Sequence, residues 1–250
     1  MPNKILLLSD LHFEFHRDTQ EFISRLDNDV DILVLAGDID VYDQIENTLD
    51  LFCNRFTNVV YVPGNHELYH SSPQVIAETR TRCLKRHTNL DWLHNEVTVI
   101  NGQRFLGGTG WYREDPQSFM YERNMSDFNI ISDFKPWVYE EQARFEQFIK
   151  ANLQEGDVVV THHLPSEICI DKFFKGSILN RFFVCDYTDL ILDRDPALWM
   201  YGHTHFEQDL KLGNTRLVCN PRGYPHERNP FDPSSGSNSK HYHGKLITLG

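Results

Sequence analysis

The sequence predicts an α/β fold in one domain, and three observations carry that prediction. Short β-rich apolar runs alternate with stretches whose apolar residues recur every three or four positions, the pattern of strands interleaved with amphipathic helices. Several runs are apolar without a break, as strands buried on both faces are. A chain of 250 residues can bury a substantial core and lies within the size of a single α/β domain.

In order, the predicted strands are "ILLLS" from Ile5, "DILVLAG" from Asp31, "VVYVP" from Val59, "VTVI" from Val97, "RFLGGT" from Arg104, "DVVVTH" from Asp157, "ALWMYG" from Ala197, "TRLVCN" from Thr215 and "KLITL" from Lys245. Helices are predicted over "DTQEFISRL", "QIENTLDLFCNRF", "PQVIAETRTRCLKR" and "VYEEQARFEQFIKANL", with Pro73 suited to a first helical turn. Residues 110–136 are aromatic and charged without clean periodicity. They read as a long excursion that either walls a substrate site or packs its own aromatics at the surface. From Tyr224 to His243 the chain is rich in Pro, Ser, Asn and Gly and reads as a loop ahead of the last strand.

Composition narrows the class of protein. With 40% hydrophobic and 24% charged residues, the balance is that of an ordinary globular chain. A formal charge of -12 disfavours a nucleic-acid partner, which would call for clustered Lys and Arg. No stretch reaches a membrane-spanning length, and the early run "ILLL" is too short for a signal-peptide core, so no membrane partner and a cytoplasmic location are expected. The five cysteines, at 53, 83, 169, 185 and 219, form no CxxC pair and indicate neither a disulfide framework nor a thiolate zinc site.

Chemistry concentrates where the apolar runs end. "LLLSDLH" ends in Asp10 and His12, "LVLAGD" in Asp38, "VYVPGNHE" in Asn65, His66 and Glu67, "VVVTHH" in His162 and His163, and "LWMYGHTH" in His203 and His205. Ligands of open α/β folds gather beyond the carboxyl ends of the strands, so groups distant in sequence can converge there. If the chain stays extended after "LWMYG", His203 and His205 point the same way and address one object. Carboxylate, imidazole and amide oxygen suit a borderline or hard divalent ion. Gly37, Gly64 and Gly202 each precede a ligand candidate, where a sharp turn calls for unusual backbone angles.

The ordered series Asp-x-His, Gly-Asp, Gly-Asn-His-Glu, His and Gly-His-x-His, from Asp10 to His205, resembles the calcineurin-like metallophosphoesterase family. That resemblance implies a four-layer α-β-β-α sandwich, the metallo-dependent phosphatase fold. It also implies two divalent metal ions, manganese first, with Fe, Zn, Ni and Co compatible with the same ligands. Carried over residue by residue, one ion is held by Asp10, His12, Asp38 and His205, and the other by Asp38, Asn65, His162 and His203, with Asp38 bridging. Of the adjacent pair the family pattern favours His162 over His163. His66 stands off the metals beside the leaving group, and Glu67 orients a neighbour or caps a helix rather than binding metal.

Two such ions supply Lewis acidity and hydroxide near neutral pH for in-line displacement at phosphorus, so water is the expected nucleophile. His66 and the bridging Asp38 are then the catalytic residues, His66 as donor to the departing oxygen. The expected substrate is a small phosphoester, with a phosphodiester, on a nucleotide or another small molecule, ahead of a monoester. "GDIDVYD" lacks the arginine that follows Gly-Asp in protein Ser/Thr phosphatases of the superfamily, which weakens that alternative. A nuclease lacks a basic track, and a non-catalytic protein-binding scaffold of the same fold would not need the full ligand set. Arg222 is a candidate phosphate contact, and Trp111, Tyr112 and Arg113 are candidate pocket walls. A turn and a packed surface loop are the competing readings of these residues.

Overall fold

The computed structural model describes residues 3–225 and 242–249 and contains two β-sheets. In the first, β1 (Lys4–Leu8), β2 (Ile32–Ala36), β3 (Val59–Val62) and β4 (Leu90–Trp92) run parallel, and the last strand, β11 (Lys245–Thr248), pairs antiparallel with β1. The second sheet has the order β5-β6-β7-β8-β10-β9. Its strands are β5 (Glu96–Ile100), β6 (Gln103–Gly107), β7 (Val158–Val160), β8 (Leu198–Tyr201), β9 (Gln208–Leu212) and β10 (Thr215–Cys219). In it β6, β7, β8 and β10 are parallel.

Strand alternation sends side chains to two different cores. Ile5, Leu7, Ile32, Val34, Val60 and Val62 meet Phe105, Val158, Val160, Leu198 and Met200 of the second sheet. From the other face of the first sheet, Leu6, Leu8, Leu33, Leu35 and Tyr61 pack with residues of α1 (Thr19–Arg25), α2 (Ile45–Arg55) and α3 (Pro73–Arg86). The outer face of the second sheet is covered by α5 (Phe134–Asn152) and α6 (Thr188–Arg194) through Phe145, Ile149 and Ile191. Two sheets between two helical layers give the α-β-β-α order expected of the metallo-dependent phosphatase fold.

Because β1 and β2 are apolar on both faces, a one-residue slip of their register would cost little inside the strands. It would instead break the contact of the Asp10 N–H with the Gly37 carbonyl that joins the two strand ends. Register pairs Ile5 with Ile32 and Leu8 with Leu35, so Asp10 and Asp38 leave the sheet within one residue of the same level. Polar residues at the strand ends thus set both the register and the position of the site.

The predicted helices recur with small changes of boundary. Ser72 caps α3 by accepting from the Val75 N–H, and Pro73 occupies its first position, where no intrahelical donor is lost. α5 is broken at Lys135, whose φ of -103° and ψ of 133° are not helical, so its continuous part starts within two residues of the expected Val138. Outside the expectation, besides short 3-10 turns, were β4, β9 and α6, and α4 (Asp127–Ile130) within the 110–136 excursion. β9 is an edge strand, "QDLKL", whose polar residues hide it from a search for apolar runs. Most of the loop expected at 224–243 lies outside the described residues. All five cysteines are buried free thiols, and among the described residues no helix is long and apolar enough to cross a membrane.

Candidate metal centre

The polar residues at the strand ends meet at one rim shared by the two sheets. Asp10, His12, Asp38, His203 and His205 all have φ between 46° and 69°, the left-handed region that residues other than glycine seldom adopt. Neighbouring contacts hold this strain in place. The His203 N–H donates to Asp10 Oδ1 at 2.8 Å, and the Asp10 N–H donates to the Gly37 carbonyl at 2.9 Å. The expectation for His203 and His205 is therefore corrected: β8 ends at Tyr201, the chain does not stay extended, and the two imidazoles enter different groups of donors.

In the first group the ligand atoms of Asp10, His12 and His205 lie within 4.8 Å of one another. His12 Nε2 and His205 Nε2 are 3.0 Å apart, a separation that needs a proton or a cation to satisfy both lone pairs. In the second group, Asp38, His162 and His203 converge within the same limit, and His162 Nε2 is 3.2 Å from Asn65 Oδ1. Asp38 Oδ2 lies 3.3 Å from His162 Nε2 and 3.8 Å from His12 Nε2, between the two groups, where a bridging ligand belongs. His203 Nε2 and Asp10 Oδ2 are buried with no hydrogen-bond partner, and a cation at each group would satisfy them. By this test the residues fit two divalent ions.

Backbone and second contacts aim these donors. Gly37 has φ +82°, and a Cβ on it would lie 2.4 Å from His162 Nδ1. Gly64 has an ordinary φ and serves another need: its Cβ would lie 2.1 Å from Asp38 Oδ1. His162 Nδ1 donates to the Ala36 carbonyl at 2.9 Å, which turns Nε2 toward the donors. Burial works against charge on His162, but the adjacent Asp38 carboxylate outweighs it and raises the pKa to about 10. In the metal-free protein that ion pair stabilises the fold fully below about pH 6.5 and is lost as pH rises through about 10. An entering cation has to displace this proton, so metal affinity falls as pH is lowered. His203 is the opposite case, since burial, then the neighbouring His163 and His162, hold its pKa well below the usual range and leave it neutral.

The calcineurin-like phosphoesterase family model matches residues 3–207, most of the chain. The chain belongs to that family. It is 25% identical over 263 residues to an uncharacterized protein of Acanthamoeba polyphaga mimivirus, covering 90% of this chain and 93% of that one. An uncharacterized metallophosphoesterase of Helicobacter pylori is 29% identical over 149 residues, 53% of this chain and 38% of the relative. Among solved structures, the phosphopantetheinyl hydrolase of Mycobacterium tuberculosis superposes with a TM-score of 0.75 at 20% identity, covering 98% of this chain and 95% of that one, which is a likeness of fold. The calcineurin-like phosphoesterases depend on a dinuclear metal centre, and this chain carries two donor groups that fit one.

His66 stands beside the two groups, in a third cluster with His12 and Glu14 whose ligand atoms also lie within 4.8 Å of one another, and a residue overlooked in the sequence holds it. His66 Nδ1 is 2.8 Å from Glu14 Oε1, and His12 Nδ1 is 3.1 Å from the same oxygen. One carboxylate thus fixes two imidazoles by their Nδ1–H, leaving His12 Nε2 for the metal group and His66 Nε2, 3.2 Å from the Tyr224 hydroxyl, for the cleft. The signal was present two residues beyond His12, but nothing local distinguishes Glu14 from a surface acid. Burial opposes a charged His66, yet Asp38 and Glu14 outweigh it and raise its pKa to about 9.

Glu67 is placed off the metal groups, as expected for an orienting residue. It accepts from the backbone N–H of Asp38, Ile39 and Gly64 and from the Tyr61 hydroxyl, tying the loops after β2 and β3 together. Glu67→Ala strands three buried N–H groups and is expected to destabilise the protein by about 3 kcal/mol or more, measurable by urea unfolding of the metal-free form. An unchanged unfolding midpoint would contradict that role.

The 110–136 excursion divides between the two readings given to it. Trp111 and Tyr112 are fully buried, and Trp111 packs against Phe134 and Trp137 rather than lining the cleft. Residues 124–127, in contrast, reach the cleft. Asp127 Oδ1 accepts from Asn65 Nδ2 at 3.0 Å and from the Tyr69 hydroxyl at 2.9 Å, which turns the Asn65 amide oxygen toward His162. Asp127→Ala is expected to lower metal affinity about 10–100-fold with the fold retained, read by competition with a chelator; unaltered affinity would make the contact incidental.

The other substrate candidates are corrected. Arg222 is buried with its Nη2 on both Asp18 carboxylate oxygens, at 2.9 and 3.0 Å, and its guanidinium lies over the Phe22 ring. Arg113 pairs with Glu146 at 2.8 Å and with the Asp186 carbonyl, away from the metal groups. Each cation is already neutralised by a nearby acid. His163 also lies outside the donors, packed on Trp111 and Tyr112, and burial, then His162, lower its pKa to about 3.

Proposed function

We propose that the chain is a dinuclear metal-dependent phosphoesterase that hydrolyses a small phosphodiester by attack of water. The observation that carries this reading is the pair of donor groups meeting at Asp38, on the floor of a cavity of about 430 Å³ that His66 also lines. That volume suits a small molecule rather than a protein segment or a duplex.

Asp10, His12 and His205 would hold one ion, Asn65, His162 and His203 the other, and Asp38 would touch both. Bound there, two divalent ions supply Lewis acidity to the phosphoryl oxygens and lower the pKa of water. Asp38 Oδ1 is occupied by the His66 N–H at 2.9 Å, which keeps Oδ2 turned to the donor groups and His66 next to them. His66 presents Nε2 to the cleft and carries the proton for the departing oxygen, held by Glu14 at its far nitrogen. Arg222 pairs through Nη2 with Asp18 and Arg113 through Nε with Glu146, so of the guanidiniums considered for a second phosphoryl charge among the described residues neither faces the donors, which favours the singly charged diester over the monoester. Manganese is the first metal to load, since mixed imidazole and carboxylate donors accept it along with Fe, Zn, Ni and Co.

The reading is tested by stripping the protein of metal, reloading it with manganese and comparing bis-p-nitrophenyl phosphate with p-nitrophenyl phosphate. Metal-dependent cleavage with the diester preferred is the expected result. A monoester preference would overturn the diester assignment, and no turnover of either ester would overturn the enzyme reading.

A further inference from the structure

The cavity over the metal groups has one wall of a different character from its floor. Leu164, Ile170, Phe174, Leu179 and Phe183, all from the segment between β7 and α6, line it with apolar surface, and Met125 faces in from the 110–136 excursion. The apolar wall starts at the metal groups themselves, because the Phe183 ring is 4.3 Å from the ring of His203. It ends at Phe174, whose side chain is 40% exposed.

The segment is built rather than slack. Leu164 and Phe183 are joined by a backbone hydrogen bond of 3.0 Å, Leu164 pairs with Val184 in an isolated parallel bridge, and Asn180 Nδ2 donates to the Phe174 carbonyl at 2.8 Å. A preformed apolar wall continuous with a polar floor is the usual form of a small-molecule site, and uncovered apolar surface of this kind is stabilised by a ligand that covers it.

Resting on the phosphoesterase reading, we propose that the organic group of the substrate is uncharged and apolar, an aryl or alkyl arm that lies along Phe183, Leu179 and Phe174 while its single phosphoryl group sits at the donor groups. The charge pattern agrees with this. Cations at the floor would meet the phosphoryl oxygens, whereas among the described lining residues beyond them no Lys or Arg stands ready for a second phosphate and Asp171 would repel one. A nucleoside polyphosphate is therefore a poor occupant, and a molecule with one phosphate and an apolar arm is a good one.

The test measures binding, so that it does not depend on turnover. Manganese-loaded protein is titrated calorimetrically with the singly charged monomethyl esters of methylphosphonate, benzylphosphonate and thymidine 5′-monophosphate. The benzylphosphonate ester is expected to bind at least about tenfold more tightly than the methylphosphonate ester, about 1.4 kcal/mol, and more tightly than the nucleotide. That ratio is expected to fall toward one in Phe174→Ser and in Leu179→Ser, two side chains that belong to neither donor group, so that metal content serves as the check on folding. Equal affinity for the two phosphonates, tighter binding of the nucleotide, or a ratio untouched by both substitutions would overturn the proposal. Failure of the phosphoesterase reading looks different, as selective binding of benzylphosphonate with no cleavage of any ester.

Discussion

Asp38→Asn is expected to reduce phosphodiester hydrolysis to below about 1% of the unsubstituted rate and to leave the protein with fewer than two bound ions. The reasoning is local. Asp38 Oδ2 lies within 3.8 Å of an imidazole nitrogen in each donor group, His12 Nε2 at 3.8 Å and His162 Nε2 at 3.3 Å. Asparagine keeps an oxygen at Oδ1 for the His66 N–H but brings no charge to the position between the ions. The fold is expected to survive, because the surrounding loops are held separately by Glu67. Metal content by plasma emission spectrometry and initial rates on the same sample check both halves. Two ions retained with near-normal turnover would remove Asp38 from the site.

His66→Gln is expected to keep both ions and to slow hydrolysis by about 10²-fold or more, the scale of a lost proton donor. The loss should grow as the leaving group becomes a poorer one, since p-nitrophenolate departs with little help and an alkoxide does not. Glu14→Ala is expected to reproduce part of this loss with the same dependence on the leaving group, because Glu14 Oε1 fixes the Nδ1–H of His66 at 2.8 Å. The double substitution should exceed His66→Gln alone only by what Glu14 contributes through His12, whose Nδ1 is 3.1 Å from the same oxygen, since the part acting through His66 is not additive. Rates of His66→Gln that fall equally for good and poor leaving groups would make His66 a structural residue, and loss of metal would make it a ligand.

Much of the fold and of the site was legible in the sequence for one physical reason. Strands buried on both faces are continuously apolar, so their ends are sharply marked, and in parallel sheets those ends are where function gathers. Asp10, His12, Asp38, Asn65, His162, His203 and His205 all stand at such ends, and the structure brings them together. The residues that were not legible act through tertiary contacts that leave no local trace. Glu14 matters because it reaches His66 across 52 positions of sequence, and Asp127 because it reaches Asn65 across 62. Arg222 and Arg113 were misplaced for the same reason, since the acids that neutralise them, Asp18 and Glu146, are distant in the chain. The extended geometry assumed for His203 and His205 failed because the chain turns through left-handed angles at both, a strain seldom signalled by residue type outside glycine and asparagine.

The central claim is that two cations sit at these donor groups and share Asp38. Anomalous diffraction from crystals of the protein grown with manganese tests it most directly. The account predicts two peaks about 3.5–4 Å apart, one beside Asp10, His12 and His205, the other beside Asn65, His162 and His203, with Asp38 between them. A single peak, or a peak between Glu14 and His66 instead, would contradict it.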